Sequence, residues 1–198
     1  KKIPVWAMIT LSILPLWAFL YVLALRPEPA KATGPIGAGV KLYAGCSGCH
    51  GANGEGGAGR AMQNGALLKT FPHIEDQLNL VYTGSQAFAT AGLPFYGDAS
   101  VGHLGYNGVY VPQQGKKSGG GLTDAEILAV VCHERYDLSG ADKAGAYAAE
   151  YTLWCAPGSP IYAALTAGTA DFDTLADKFK AEGVLPIGTA PRPATPAG

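Results

Sequence analysis

Methionine is scarce in this chain: the 198 residues hold two, Met8 and Met62. Cysteine is limited to four, and only Cys46 and Cys49 are spaced as a CxxC pair. A zinc site built on that pair needs a second close pair of Cys or His ligands. Cys132 and Cys155 lie far apart and show no such spacing. A thioredoxin-like redox pair wants a βαβ setting, which the flanking sequence lacks. Zinc and redox thiols therefore stand only as the alternatives for Cys46 and Cys49. An excess of either charge is also missing, since 14 basic and 15 acidic side chains leave a formal net charge of −1. That balance offers no electrostatic footprint for nucleic acid. No internal repeat is found.

What is present is a short local pattern, Cys46-Ser47-Gly48-Cys49-His50. Two cysteines three apart, with a histidine directly after the second, form the attachment signature of a c-type haem. The spacing has a chemical reason. Two thiols reach the two vinyl groups of a porphyrin as thioethers, and the adjacent imidazole lies beneath the iron as its proximal ligand. The cofactor expected is one covalently attached haem c, held by Cys46, Cys49 and His50.

A long apolar run precedes the motif. From Ile3 to Leu25 the chain reads IPVWAMITLSILPLWAFLYVLAL, about 23 uncharged residues, enough for one transmembrane helix. Trp6 and Tyr21 fall near its two ends, where interfacial anchoring is expected. Pro4 suits a helix start, and Pro15 predicts a kink. Lys1 and Lys2 before the run place the N-terminus in the cytoplasm and the haem domain outside it. A cleaved signal peptide is the alternative. The run exceeds a usual signal core, and Ala30-Lys31-Ala32 is a poor cleavage site, so an uncleaved anchor in the cell membrane is expected.

Cysteine usage agrees with an oxidising compartment. With Cys46 and Cys49 committed, Cys132 and Cys155 are expected to pair as a disulfide. The expected layout is a transmembrane anchor over 1–25, a Pro/Gly-rich linker over 26–37 and a haem domain over 38–137. A helical extension over 138–183 and a flexible tail over 184–198 complete it. The tail, VLPIGTAPRPATPAG, reads as unable to order except against a partner.

Within the haem domain, Val40 to Ala44 predicts a short helix leading into the cysteines. Ile74, Leu78 and Val81 come after Pro72 at helical spacing. Thr123-Asp124-Ala125-Glu126 forms a capping box before the apolar run Ile127 to Val131, predicting a helix over Asp124 to Tyr136. The glycine-rich stretch from Gly84 to Gly121 predicts a long loop, of the length that wraps a ligand.

At these residues the chain resembles a class I cytochrome c domain. The matching segments are Tyr43 to Gly51 (YAGCSGCHG), Asn53 to Gly57 (NGEGG) and Leu122 to Val131 (LTDAEILAVV). They carry the resemblance over roughly half the chain. It is similar above all to the anchored mono-haem subunits of bacterial quinol-oxidising and oxygen-reducing membrane complexes. The resemblance implies an all-α, cytochrome c-like fold, with first and last helices crossing beside the haem. With the anchor and the extension, the whole chain is expected to be all-α. It also implies electron transfer without bond-making chemistry. The partners implied are subunits of a membrane-embedded respiratory complex, a redox partner cytochrome or oxidase, and the lipid bilayer. Tyr43 and the face of Ile127, Val130 and Val131 are expected to pack around the haem or between helices.

One departure bears on function. Such domains take their sixth iron ligand from a Met-Pro pair shortly before the last helix. That slot aligns here with Val111-Pro112, and Leu93-Pro94 is a second near match without methionine. Met8 lies in the anchor, and Met62 reads as core. His73 reads as a helix-start residue and His133 as a surface one. His103, in the long loop, is either the sixth ligand or a solvated loop histidine. The remaining option is a five-coordinate iron.

Three functions are compatible with these residues. The first is a membrane-anchored cytochrome passing single electrons within a respiratory or photosynthetic complex, a quinol:cytochrome c reductase or oxidase assembly. It is a subunit of an oxidoreductase rather than an enzyme by itself. The second is a haem protein with an open distal site for small-ligand sensing or peroxide chemistry. The third is an assembly subunit whose haem is incidental.

Overall fold

The computed structural model describes residues 4–24, 33–101 and 103–196. The first element, α1 (Val5–Ala24), is apolar on every side and runs unbroken through Pro15. Proline has no N–H, so the Leu11 carbonyl loses its backbone donor there. The hydroxyls of Thr10 and Ser12 donate back to the carbonyls of Trp6 and Met8, so the two polar side chains are satisfied within the helix. Twenty residues at 1.5 Å each span about 30 Å. With a mean hydropathy of 1.9 over Val5–Val22, α1 is long and apolar enough to cross a membrane.

The second unit, Thr33–Gly198, is built from short helices around a shared core. Among the described residues its only β pairing is two isolated bridges, Tyr106 with Val109 and Gly115 with Leu122. The chain enters through α2 (Gly34–Leu42) and α3 (Ala44–His50). Residues 34–37, read from sequence as the end of a linker, are the first turn of α2. Pro35 is tolerated there because the first helical N–H groups have no partner anyway. Ile36 is buried in the core, which draws the segment in.

Helix α4 (Ala66–Thr70) leads into α5 (Ile74–Thr83), which carries the predicted Ile74, Leu78 and Val81 face. The stretch from Gly84 to Gly121 is less open than its glycine content predicts. It contains α6 (Ser85–Thr90) and a 3-10 turn at Lys116–Ser118. It then returns beside α5, where Gln114 N–H donates to the Val81 carbonyl and Gly115 N–H to that of Tyr82.

Helix α7 (Asp124–His133) starts on the capping box, with both reciprocal hydrogen bonds between Thr123 and Glu126 in place. Its last turn widens into a π-helical turn, Glu134–Leu138. Helix α2 crosses α7 closely because Gly39 has no side chain. A Cβ there would overlap the Ala129 carbonyl.

The segment expected as an appended extension instead helps to build the core. It supplies α8 (Ala148–Glu150), continuing as a π-helical turn to Cys155, then α9 (Pro160–Thr166) and α10 (Leu175–Lys178). Trp154, Ile161, Phe172 and Leu175 join Ile36, Leu78, Ile127 and Leu128 in one buried cluster. Cys132 on α7 and Cys155 form a disulfide across that cluster. They lie 23 residues apart, and opening a loop of that size is expected to cost roughly 3 kcal/mol. Alanine at both positions should lower the denaturation midpoint accordingly, whereas an unchanged midpoint would count against a structural role for the bond.

The expectation for the tail is corrected most. Described residues 184–196 lie along α5, with Val184 and Ile187 buried. Asn79 on α5 donates to the carbonyls of Ile187 and Ala190. Asp76 accepts from the Thr195 N–H and pairs with Arg192 at 2.7 Å. Glu75 accepts from the Leu185 N–H. The segment lacks a helix or strand period, yet polar groups of α5 satisfy its backbone one by one.

Candidate haem site

Helix α3 places Cys46, Cys49 and His50 at positions i, i+3 and i+4, which share one helical face. Tyr43, at the junction with α2, is buried, and its hydroxyl donates to the Gly51 carbonyl at 2.9 Å. That bond ties the end of α3 back to its start. After Gly51 the chain doubles back on the motif. Gly56 N–H donates to the His50 carbonyl and Gly59 N–H to that of Cys49.

The histidine is held by the same loop. Its Nδ1 lies 2.8 Å from the Arg60 carbonyl, which can only accept, so Nδ1 carries the proton. The lone pair then sits on Nε2, the tautomer a metal ligand needs. Gly59 backs the ring closely. A Cβ at that position would stand 2.7 Å from Cε1, so a side chain there displaces the imidazole.

Cys46 and Cys49 are free thiols, the first half-buried and the second exposed. Burial is the main cause pushing the Cys46 thiol up to about 12, with Glu134 and Cys49 adding to it. Both cysteines and His50 line one cavity of about 610 Å³, within the roughly 300–1,000 Å³ range of cofactor clefts. Leu67, Phe71, Leu80, Tyr96, Val111 and Pro112 form much of its apolar wall.

These residues fit a haem. Paired thiols and a correctly tautomerised imidazole meet at an apolar cleft wide enough for a macrocycle. Arg60 adds a further point of fit. It lines the cavity, and its Nε is buried without a hydrogen-bond partner. Such a donor suits an anionic edge like a haem carboxylate.

A family model described as cytochrome c matches residues 36–133. The chain contains a cytochrome c domain. Comparison with curated proteins and with solved structures gave no match. That domain implies covalently attached haem c, electron transfer and redox partner proteins. The mostly helical fold is the one expected from the sequence.

The remaining candidates of this cytochrome c domain fall in different places. Val111 is clamped to α6, its N–H donating to Ser85 Oγ at 2.8 Å while its carbonyl accepts from Ser85 N–H at 3.0 Å. Its side chain lines the cavity and offers no ligand atom. Met62 is buried beside Tyr43, whose hydroxyl lies 4.0 Å from its sulfur, and it also lines the cavity. His103 is exposed on the cavity wall. His73 is the N-cap residue of α5, and its Nε2 meets the Pro196 carbonyl at 3.3 Å.

His133 departs from its expected surface role. It is buried, edge-on to Tyr43, with Nδ1 bonded to Asp137 at 2.9 Å. That bond is the main cause holding the Asp137 carboxyl below its usual range. Ile127, Leu128 and Val131 pack into the helical core, away from the smaller cluster formed by Tyr43, Met62, Leu67, Phe71 and Tyr96.

Among the polar residues of the cavity that went unread in the sequence are Arg60 and Glu134. Arg60 comes after a glycine-rich loop that hides its role, and Glu134 falls inside the predicted helix Asp124 to Tyr136, where nothing local marks it as buried. Neither belongs to a motif.

Proposed function

We propose that this protein is a membrane-anchored c-type cytochrome passing single electrons within a respiratory or photosynthetic complex. The complex would be of the quinol:cytochrome c reductase or oxidase kind. In this reading Cys46 and Cys49 hold the porphyrin as thioethers and His50 binds iron through Nε2. The observation that carries it is the convergence of both thiols and the His50 ring on one apolar cavity. Haem c supplies the one-electron couple. The chain's own residues bind it covalently, orient the imidazole and exclude water from one side.

Helix α1 supports the membrane anchor through its length and hydropathy. In this reading it crosses once, with the N-terminus cytoplasmic and the haem domain on the extracytoplasmic face. The disulfide between Cys132 and Cys155 agrees with an oxidising location.

Val111 favours a second reading, a haem with an open distal site for small ligands. A valine clamped by Ser85 stands where a methionine sulfur is expected, and His103 lies at the cavity wall. The absorption spectrum of the dithionite-reduced protein, with and without CO, separates the two. The carrier reading expects sharp α and β bands that CO leaves in place. A CO-shifted Soret band would move the assignment to ligand-binding chemistry.

A further inference from the structure

Glu134 opens the π-helical turn after α7 and lines the same cavity as Cys46 and His50. Its side chain is buried, at 3% exposure. Gln77 Nε2 donates to Oε2 at 2.8 Å. Among the described residues no basic side chain pairs with it. The adjacent Arg135 turns away, to Glu150 at 2.6 Å and to the Phe71 carbonyl at 2.9 Å. It touches the neighbourhood of Glu134 only through the far end of Gln77, whose Oε1 accepts from it at 3.2 Å.

The groups around this carboxyl offer it little compensation. On α3 and its junction with α2 stand the Cys46 thiol and the Tyr43 hydroxyl, which burial holds in their protonated forms, with a charge on Glu134 adding to it. On α7, His133 is engaged by Asp137. On α5, Glu75 and Asp76 bond residues 185–195. Lys41 of α2 and Lys69 of α4 are exposed. A carboxyl in such a place resists ionisation, because burial penalises the charged form. Burial lifts it and the Gln77 bond draws it part of the way back, which leaves it at about 7.

We infer that Glu134 is a proton-binding site coupled to the oxidation state of the haem. The inference rests on the reading that Cys46, Cys49 and His50 hold the haem in this cavity. Charges sharing a cavity of low dielectric interact far more strongly than in water. Oxidation adds one positive charge there and favours the carboxylate, so Glu134 releases its proton to solvent. One electron from a donor protein removes that charge, and Glu134 takes one proton back. Electron and proton then move together in the pH window between the two protonation constants. Within that window each tenfold fall in proton activity lowers the potential by up to about 59 mV for a one-electron couple. Outside it the potential is flat.

The test is a spectroelectrochemical titration of the full-length holoprotein from about pH 5 to pH 9, a range that brackets such a raised acid. The native protein should show a potential that falls with pH. Glu134→Gln should flatten it near the native low-pH value, because glutamine mimics the protonated acid. Redox-difference infrared spectra should show a protonated-carboxyl stretch appearing on reduction in the native protein and absent from the variant.

A flat native profile, or an unaltered slope in Glu134→Gln, overturns the proposal. Should Glu134→Gln fail to mature, Gln77→Met removes the hydrogen bond that favours the carboxylate. It should move the window to higher pH, and an unmoved window also overturns the proposal. A native chain whose denatured haemochrome spectrum shows no covalent haem would overturn the haem reading first, and this inference with it.

Discussion

Alanine at position 50 should abolish the low-spin spectrum of the reduced protein while leaving haem attached through Cys46 and Cys49. The imidazole is the iron ligand proposed above, with Nδ1 committed to the Arg60 carbonyl and Gly59 closing the space behind it. Removing the ring opens a hole of imidazole size, so added free imidazole should restore the low-spin bands. That rescue distinguishes loss of a ligand from loss of the fold. A normal spectrum in His50→Ala would sink the axial assignment.

The second large effect is expected at Arg135, whose side chain is fully buried. It makes a two-pronged pair with Glu150, Nε at 2.8 Å and Nη2 at 2.6 Å. Its Nη1 also satisfies the Phe71 carbonyl at the cavity edge. Removing one partner of a buried pair leaves the other charge without compensation, which costs about 3–5 kcal/mol. Arg135→Ala should therefore lower stability by that amount in chemical denaturation. The double variant Arg135→Leu, Glu150→Leu should recover much of the loss, since an apolar pair leaves no orphaned charge. A single variant as stable as the native chain would show that the pair carries little energy.

These two residues mark what a sequence discloses and what it does not. The haem-attachment motif that holds His50 is legible because attachment chemistry is local: five consecutive residues carry the whole signal. The start of α7 was legible for the same reason, since Thr123 and Glu126 cap each other within one turn. Arg135 was not legible. Its partners Phe71, Gln77 and Glu150 lie 64, 58 and 15 residues away, so nothing nearby hints at burial.

The pieces misread along the chain share a cause. Gly34 to Gly37 carries tether composition, yet Ile36 is pulled into the core by partners far along the sequence. Helix α6 is six residues long, too short for a periodic pattern to rise above its flanking glycines. The segment after Leu138 reads as an appendage because its apolar residues keep no steady period. It belongs to the core because Trp154, Ile161 and Phe172 each find a place against α2, α5 or α7. In all three cases the deciding contacts are remote, and local pattern is blind to them.

The band of residues 184–196 across α5 has a consequence for the order of events during biogenesis. Its contacts with Asp76 and Asn79 close loops of 119 and 108 residues. Such closures come late, because the entropy of bringing distant segments together is lost before the contacts repay it. The ribosome makes the two thiols and the imidazole well before this clasp. During that interval α5 lacks its cover over Glu75, Asp76 and Asn79. A haem attached in that interval is expected to meet a domain whose last long-range closure has still to form.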